Sequence, residues 1–168
     1  SMMLDQYQPC LCGSGKKLKF CCSHDILPEL DKIIRAVQGQ QRAAALDLLN
    51  HVITLKGSRA ALLVLKTHVM MSIPDLAGAQ ASVTKLLEMA PTNCVARSLA
   101  ALVAAAREDV AEAIEKVQRA IETAPTPIPH ELYDAIGGVG SLLFSRGDTV
   151  GGRAYFELQL NWANEDDT

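Results

Sequence analysis

A spacing of thirty-four residues runs through this chain and narrows what it can fold into. Pro91 lies in LLEMAPT and Pro125 in RAIETAPT, and one further step back from Pro91 reaches Gly57, a helix stopper after the apolar run Leu48 to Leu55. Ala45, Ala79 and Ala113 share the interval. A period of this length marks repeated supersecondary units, none of which can hide its own apolar face alone. Each unit carries two apolar stripes at helical spacing around a short turn, which predicts helices near 28–38, 41–56, 59–72, 75–89, 93–106, 109–123, 130–145 and 149–163. Asp75, Asp109 and Asp148 stand where second helices begin, so their carboxylates can accept from free amides at the positive end of the helix dipole. Capping accounts for them without catalysis.

Composition agrees with an all-α fold. The chain is 49% hydrophobic but only 4% aromatic, so its core must be filled by Ala, Leu, Val and Ile. A thirty-four-residue helix pair with a small residue in its second helix and a proline at its end resembles the tetratricopeptide repeat. Small residues at Ala79, Ala113, Ala120 and Gly140 fall where helices of that family cross closely. The final stretch GDTVGGRAYFELQLNWANED looks like the family's second helix, with Gly147, Asp148 and Phe156 in register. Pro125, Pro127 and Pro129 mark a loop about five residues longer than the others. The usual large aromatic of the first helix is absent, with Leu63 and Arg97 in its place. The resemblance implies a right-handed solenoid of about four helix pairs over residues 26–164.

In such a solenoid the first helix of each pair lines a concave groove, here Val64, His68, Met71, Val95, Ser98, Leu102, Ser141 and Phe144. The groove is mostly apolar and offers no inward Lys, Arg or Asn to clamp a terminal carboxylate. It therefore suits an amphipathic helix, from a partner protein or a second copy, better than a charged peptide end. The plainer reading is that Met71 and Phe144 are core.

Cysteine is unevenly used. Cys10, Cys12, Cys21 and Cys22 crowd into thirteen residues, whereas Cys94 stands alone in an apolar helix and reads as a small buried hydrophobe. The leader carries Lys16, Lys17 and Lys19 with no acid between Pro9 and His24, while eighteen acidic and thirteen basic side chains lie from Asp25 onward. The pattern C-x-C, eight residues, C-C supplies four sulfurs from two short pairs, which a zinc ion binds tetrahedrally. Gly13 and Gly15 suit the turn between them. Reduced thiols in an intracellular setting favour a metal over disulfides. A site filled by four sulfurs has no open position for water and is structural.

These residues closely resemble the SEC-C motif, a small zinc-binding element found at the carboxyl end of the preprotein translocase ATPase SecA and in many other bacterial proteins. Pro9, Cys10, Cys12, Gly13, Ser14, Gly15, Lys16, Lys17, Cys21 and Cys22 fall on its pattern. The resemblance implies Cys10, Cys12, Cys21 and Cys22 as ligands of one Zn2+, with His24 as the competing fourth ligand. It also implies contact with an export chaperone or the ribosome. Lys16, Lys17 and Lys19, with Leu18 and Phe20, then make a basic knob that contacts ribosomal RNA or an acidic protein surface. The plainer role of the lysines is to offset the net -2 of a zinc tetrathiolate, since three lysines on a small module neutralise few phosphates.

The formal charge of -3 gives no global drive toward nucleic acid. The longest apolar stretches, Ala60 to Leu65 and Leu99 to Ala106, fall far short of a membrane span, so a cytoplasmic protein is expected. GSGKK lacks the spacing, the hydroxyl residue and the strand of a phosphate loop. Thiol redox chemistry at Cys10 and Cys12 needs a lowered pKa at a helix start, which nothing beyond nearby lysines suggests. Ser1 and Met2 read as an expression remnant, residues 7–24 as the zinc module, and 165–168 as an acidic, solvated tail. The expected function is a non-enzymatic adaptor.

Overall fold

The structure, a computed structural model, describes residues 4–166, with side chains to 163. Ser1, Met2 and the last two residues of the expected acidic tail lie outside the described residues. A cysteine-bearing leader with a 3₁₀ turn at Leu18–Phe20 precedes α1 (Leu27–Gln38), α2 (Arg42–Lys56), α3 (Ala60–Ser72), α4 (Leu76–Met89), α5 (Cys94–Ala106), α6 (Val110–Glu122), α7 (His130–Ser145) and α8 (Thr149–Asp166). The chain divides into two compact units, Ser1–Ala90 and Pro91–Thr168. The division falls inside the span expected to form one repeat domain, and the leader belongs to the first unit.

One local device recurs at every turn within a pair. Gln41, Asp75, Asp109 and Asp148 each donate their amide back to the helix before them, to the carbonyls of Ala36, Met70, Ala104 and Leu143, at 2.9, 2.6, 3.0 and 2.9 Å. The same four residues give their carbonyls to the first intrahelical bond of the next helix, from Ala45, Ala79, Ala113 and Gly152. A single residue thus ends one helix and starts the next, which fixes a tight antiparallel pair. The three aspartates also accept side-chain bonds, from the amides of Gly78, Glu112 and Gly151 at 2.9, 3.1 and 2.8 Å. In three of the four turns the residue before the shared one is left-handed, Gln40, Glu108 and Gly147 at φ 56, 61 and 86°, whereas Pro74 precedes Asp75.

The repeated alanines are explained by that register. Ala45, Ala79 and Ala113 sit one turn into the second helix, fully buried where it meets its partner. Gly152 takes the equivalent place in α8, where a Cβ would lie 2.6 Å from the Phe144 ring and 3.0 Å from the Gly140 carbonyl.

In the first unit α1 packs on α2, α2 on α3 and α3 on α4. Its core includes Ile26, Leu30, Ile33, Leu49 and Leu62, and Cys10, Cys12 and Leu18 of the leader belong to the same cluster. The leader is therefore part of this unit's interior. In the second unit α5 packs on α6 and α7, α6 on α7 and α7 on α8, around Leu132, Ile136, Val139, Val117 and a set of alanines. Phe144 of α7 stacks on Phe156 of α8 with centroids 5.5 Å apart. No helix among the described residues is long and apolar enough to cross a membrane.

Candidate metal centre

The leader folds back on itself before it reaches α1. Pro9 and Lys17 form an antiparallel bridge, Cys10 donates its amide to the Lys16 carbonyl at 2.8 Å, and Leu18 donates to Gln8 at 2.9 Å. Gly13 and Gly15 turn the hairpin at φ 76 and 82°, backbone that favours glycine. The following 3₁₀ turn drops Leu18 into the core and presents Cys21 and Cys22 to the hairpin tip.

The four sulfurs converge. The Sγ atoms of Cys10, Cys12, Cys21 and Cys22 all lie within 4.8 Å of one another, with Cys10 to Cys22 at 3.8 Å and Cys12 to Cys21 at 3.4 Å. A zinc ion with Zn–S bonds of about 2.3 Å spaces tetrahedral sulfurs by roughly 3.8 Å, so the quartet fits one ion. Cys10 and Cys12 are buried, while Cys21 and Cys22 are half-buried. The hydroxyl of Ser14 sits 3.1 Å from the Cys21 sulfur, and that of Ser23 lies 3.6 Å from Cys22.

The proton balance of the bare cluster has the same origin. Hydrogen bonds from Cys10 and Cys12 hold Cys22 far below an ordinary thiol, with smaller help from the Ala61 amide and the Ser23 hydroxyl. Cys10 is driven strongly upward by its bonds with Cys12 and Cys22 and by burial. For Cys12 the lowering contact with Cys10 is outweighed by Cys22 and burial, leaving it near 11. Four packed thiols cannot all ionise together, and a divalent cation removes that obstacle by binding each as thiolate.

His24 stands outside the quartet. It is exposed, and its Nδ1 lies 3.0 Å from the Cys21 carbonyl oxygen. The basic knob is on the surface except for Leu18, which packs into the core of the first unit: Lys16, Lys17, Lys19 and Phe20 are exposed, Phe20 by 65%. Tyr7 joins it, with the ammonium groups of Lys17 and Lys19 at 5.7 and 5.4 Å from its ring centroid and Lys19 also 5.7 Å from that of Phe20.

The residues expected to line a groove divide by exposure. Val64, Val95 and Ser98 are buried and present no surface to a partner. The cause is helix composition: α3 and α5 are apolar almost all round, so the stripe assigned to a concave face is packed inside. His68, Met71 and Leu102 are half-buried, and Ser141 and Phe144 are exposed. Phe144 opens onto a groove of about 490 Å³ lined also by Val150, Arg153, Ala154 and Glu157.

Three features escaped the sequence reading. Arg59 and Ala61 reach Cys22 from the start of α3, nearly forty positions away, and no spacing marks them. Tyr7 precedes the cysteines and carried no signal, since only the hairpin brings it to Lys17 and Lys19.

The site defines an all-helical domain bearing a candidate four-cysteine metal cluster. Comparison with protein-family models, curated proteins and solved structures finds no match for this chain.

Proposed function

We propose that this protein is a non-enzymatic, zinc-binding adaptor, in which a SEC-C-like zinc knuckle is built onto tetratricopeptide-like helix pairs arranged as a right-handed solenoid. The observation that carries this reading is the convergence of four cysteine sulfurs, and nothing but cysteine sulfur, within 4.8 Å. Cys10, Cys12, Cys21 and Cys22 hold the ion, and filling every position with thiolate leaves no site for an activated water. The ion supplies a cross-link between hairpin and 3₁₀ turn. What remains available for function is docking, and the partner is a protein segment with an amphipathic helix that meets the exposed Phe144 and half-buried Leu102.

Metal analysis of protein purified without chelator tests this. One zinc per chain is expected, lost in Cys12→Ser and retained in His24→Ala. Absence of stoichiometric zinc in the unmodified protein removes the reading, and loss in His24→Ala would reassign the fourth ligand.

A second reading is favoured by one surface feature. Tyr7 and Phe20 are 50% and 65% exposed among Lys16, Lys17 and Lys19, a combination that stacks bases while neutralising phosphates. On this reading the knob contacts ribosomal RNA.

A further inference from the structure

Resting on the metal reading above, a second layer of the site lies outside the leader. Arg59 occupies the residue before α3, in extended backbone, and its side chain is 20% exposed. Its Nη1 donates to the Cys22 carbonyl at 2.8 Å and to Asp25 Oδ1 at 2.7 Å. Its Nη2 donates to Asp25 Oδ2 at 3.1 Å and to the carbonyl of Lys56, the last residue of α2, at 3.1 Å. The planar fork is thereby fixed on four acceptors at once, with the carboxylate gripped bidentately. Arg59, at the start of α3, therefore holds Cys22 by its carbonyl.

Four thiolates on a divalent cation leave two negative charges, and Arg59 brings a guanidinium to the backbone of one ligand. Second-layer partners of this kind orient a ligand and tune its affinity for metal.

We propose that Arg59, aimed by Asp25, is a positioning residue of the metal centre, so that metal affinity is set jointly by the cysteine leader and the start of α3. The ligand is a divalent cation of zinc type. The leader alone lacks this anchor on the backbone of Cys22.

Cobalt and zinc titrations of the full chain test this, using chelator competition for affinity, the cobalt absorption bands for tetrahedral sulfur geometry, and far-UV circular dichroism for fold. Arg59→Gln is expected to weaken metal binding by about 10-fold or more, in the range seen for second-layer changes, and to dim the cobalt bands. Arg59→Lys keeps the charge but loses the fork, and is expected to recover only part of the affinity. Asp25→Asn, a half-exposed side chain whose change spares the helices, carries the same test if Arg59→Gln fails to fold. It is expected to lower affinity several-fold. Affinities and spectra equal to those of the unmodified protein in all folded variants overturn the proposal, even if their unfolding midpoints fall. An unmodified protein that takes up neither cobalt nor zinc overturns the metal reading itself, a distinct failure.

Discussion

Leu18→Ala separates a leader that belongs to the first unit from one that merely hangs on it. Leu18 is fully buried, in a cluster with Ile26, Leu30 and Leu49. Truncation removes about three buried carbons at roughly 0.8 kcal/mol each, and the unfilled space adds to that, giving ~3 kcal/mol. At a urea dependence of ~1.5 kcal/mol/M, the helical transition of the first unit moves down by ~2 M. The assay is urea unfolding of zinc-loaded protein followed by far-UV circular dichroism. Fluorescence of Trp162, the chain's one tryptophan, reads α8 separately. Leu55→Ala is the control, since Leu55 lies in α2 of the same unit and is 65% exposed, so its loss is worth no more than ~0.5 kcal/mol. Equal helical midpoints for the two variants would show that Leu18 contributes nothing to the helices and would refute the shared core.

Two other perturbations read features with different origins. Asp109→Ala is expected to destabilise the second unit by about 1 kcal/mol in thermal or urea melts by losing the cap on Glu112, whereas Asp109→Asn, which keeps an acceptor, stays near the unmodified protein. Cys94 is buried, its thiol is pushed up mainly by that burial, and it points at the Ala120 carbonyl 3.4 Å away. In thiol titrations Cys94 is expected to stay unreactive after chelation has exposed the other four cysteines, reacting only in denaturant; early labelling of Cys94 would contradict its placement.

What the sequence made legible is what short-range physics decides. Each helix begins and ends within a few residues of its apolar stripe, because stripe and stopper are local signals. Asp75, Asp109 and Asp148 were readable as caps because the bond they make spans three residues. The cysteine quartet was readable for the same reason: its members are neighbours along the chain, and two glycines between them permit the turn. Packing was not readable. Val64, Val95 and Ser98 share a helix face with the half-buried His68, Met71 and Leu102, yet α3 and α5 are apolar on several faces, so no stripe announces which one turns to solvent. Arg59 was invisible because its meaning lies in Cys22 and Asp25, over thirty residues earlier.

The place of the leader changes what metal loss does under the proposed reading. If Cys10 to Cys22 formed a tethered knuckle, removing the ion would unfold some sixteen residues and leave the helices alone. Here Cys10, Cys12 and Leu18 are core residues of the first unit, and Arg59 ties Cys22 to the ends of α2 and α3. A ligand that binds only the folded arrangement stabilises everything folded with it, by ~4 kcal/mol at a thousand-fold excess over its Kd. That amount is comparable to the whole stability of a marginal small unit. Metal binding and the order of α1 to α3 are then one equilibrium, and any partner that docks on those helices meets its full surface only in the metal-loaded protein.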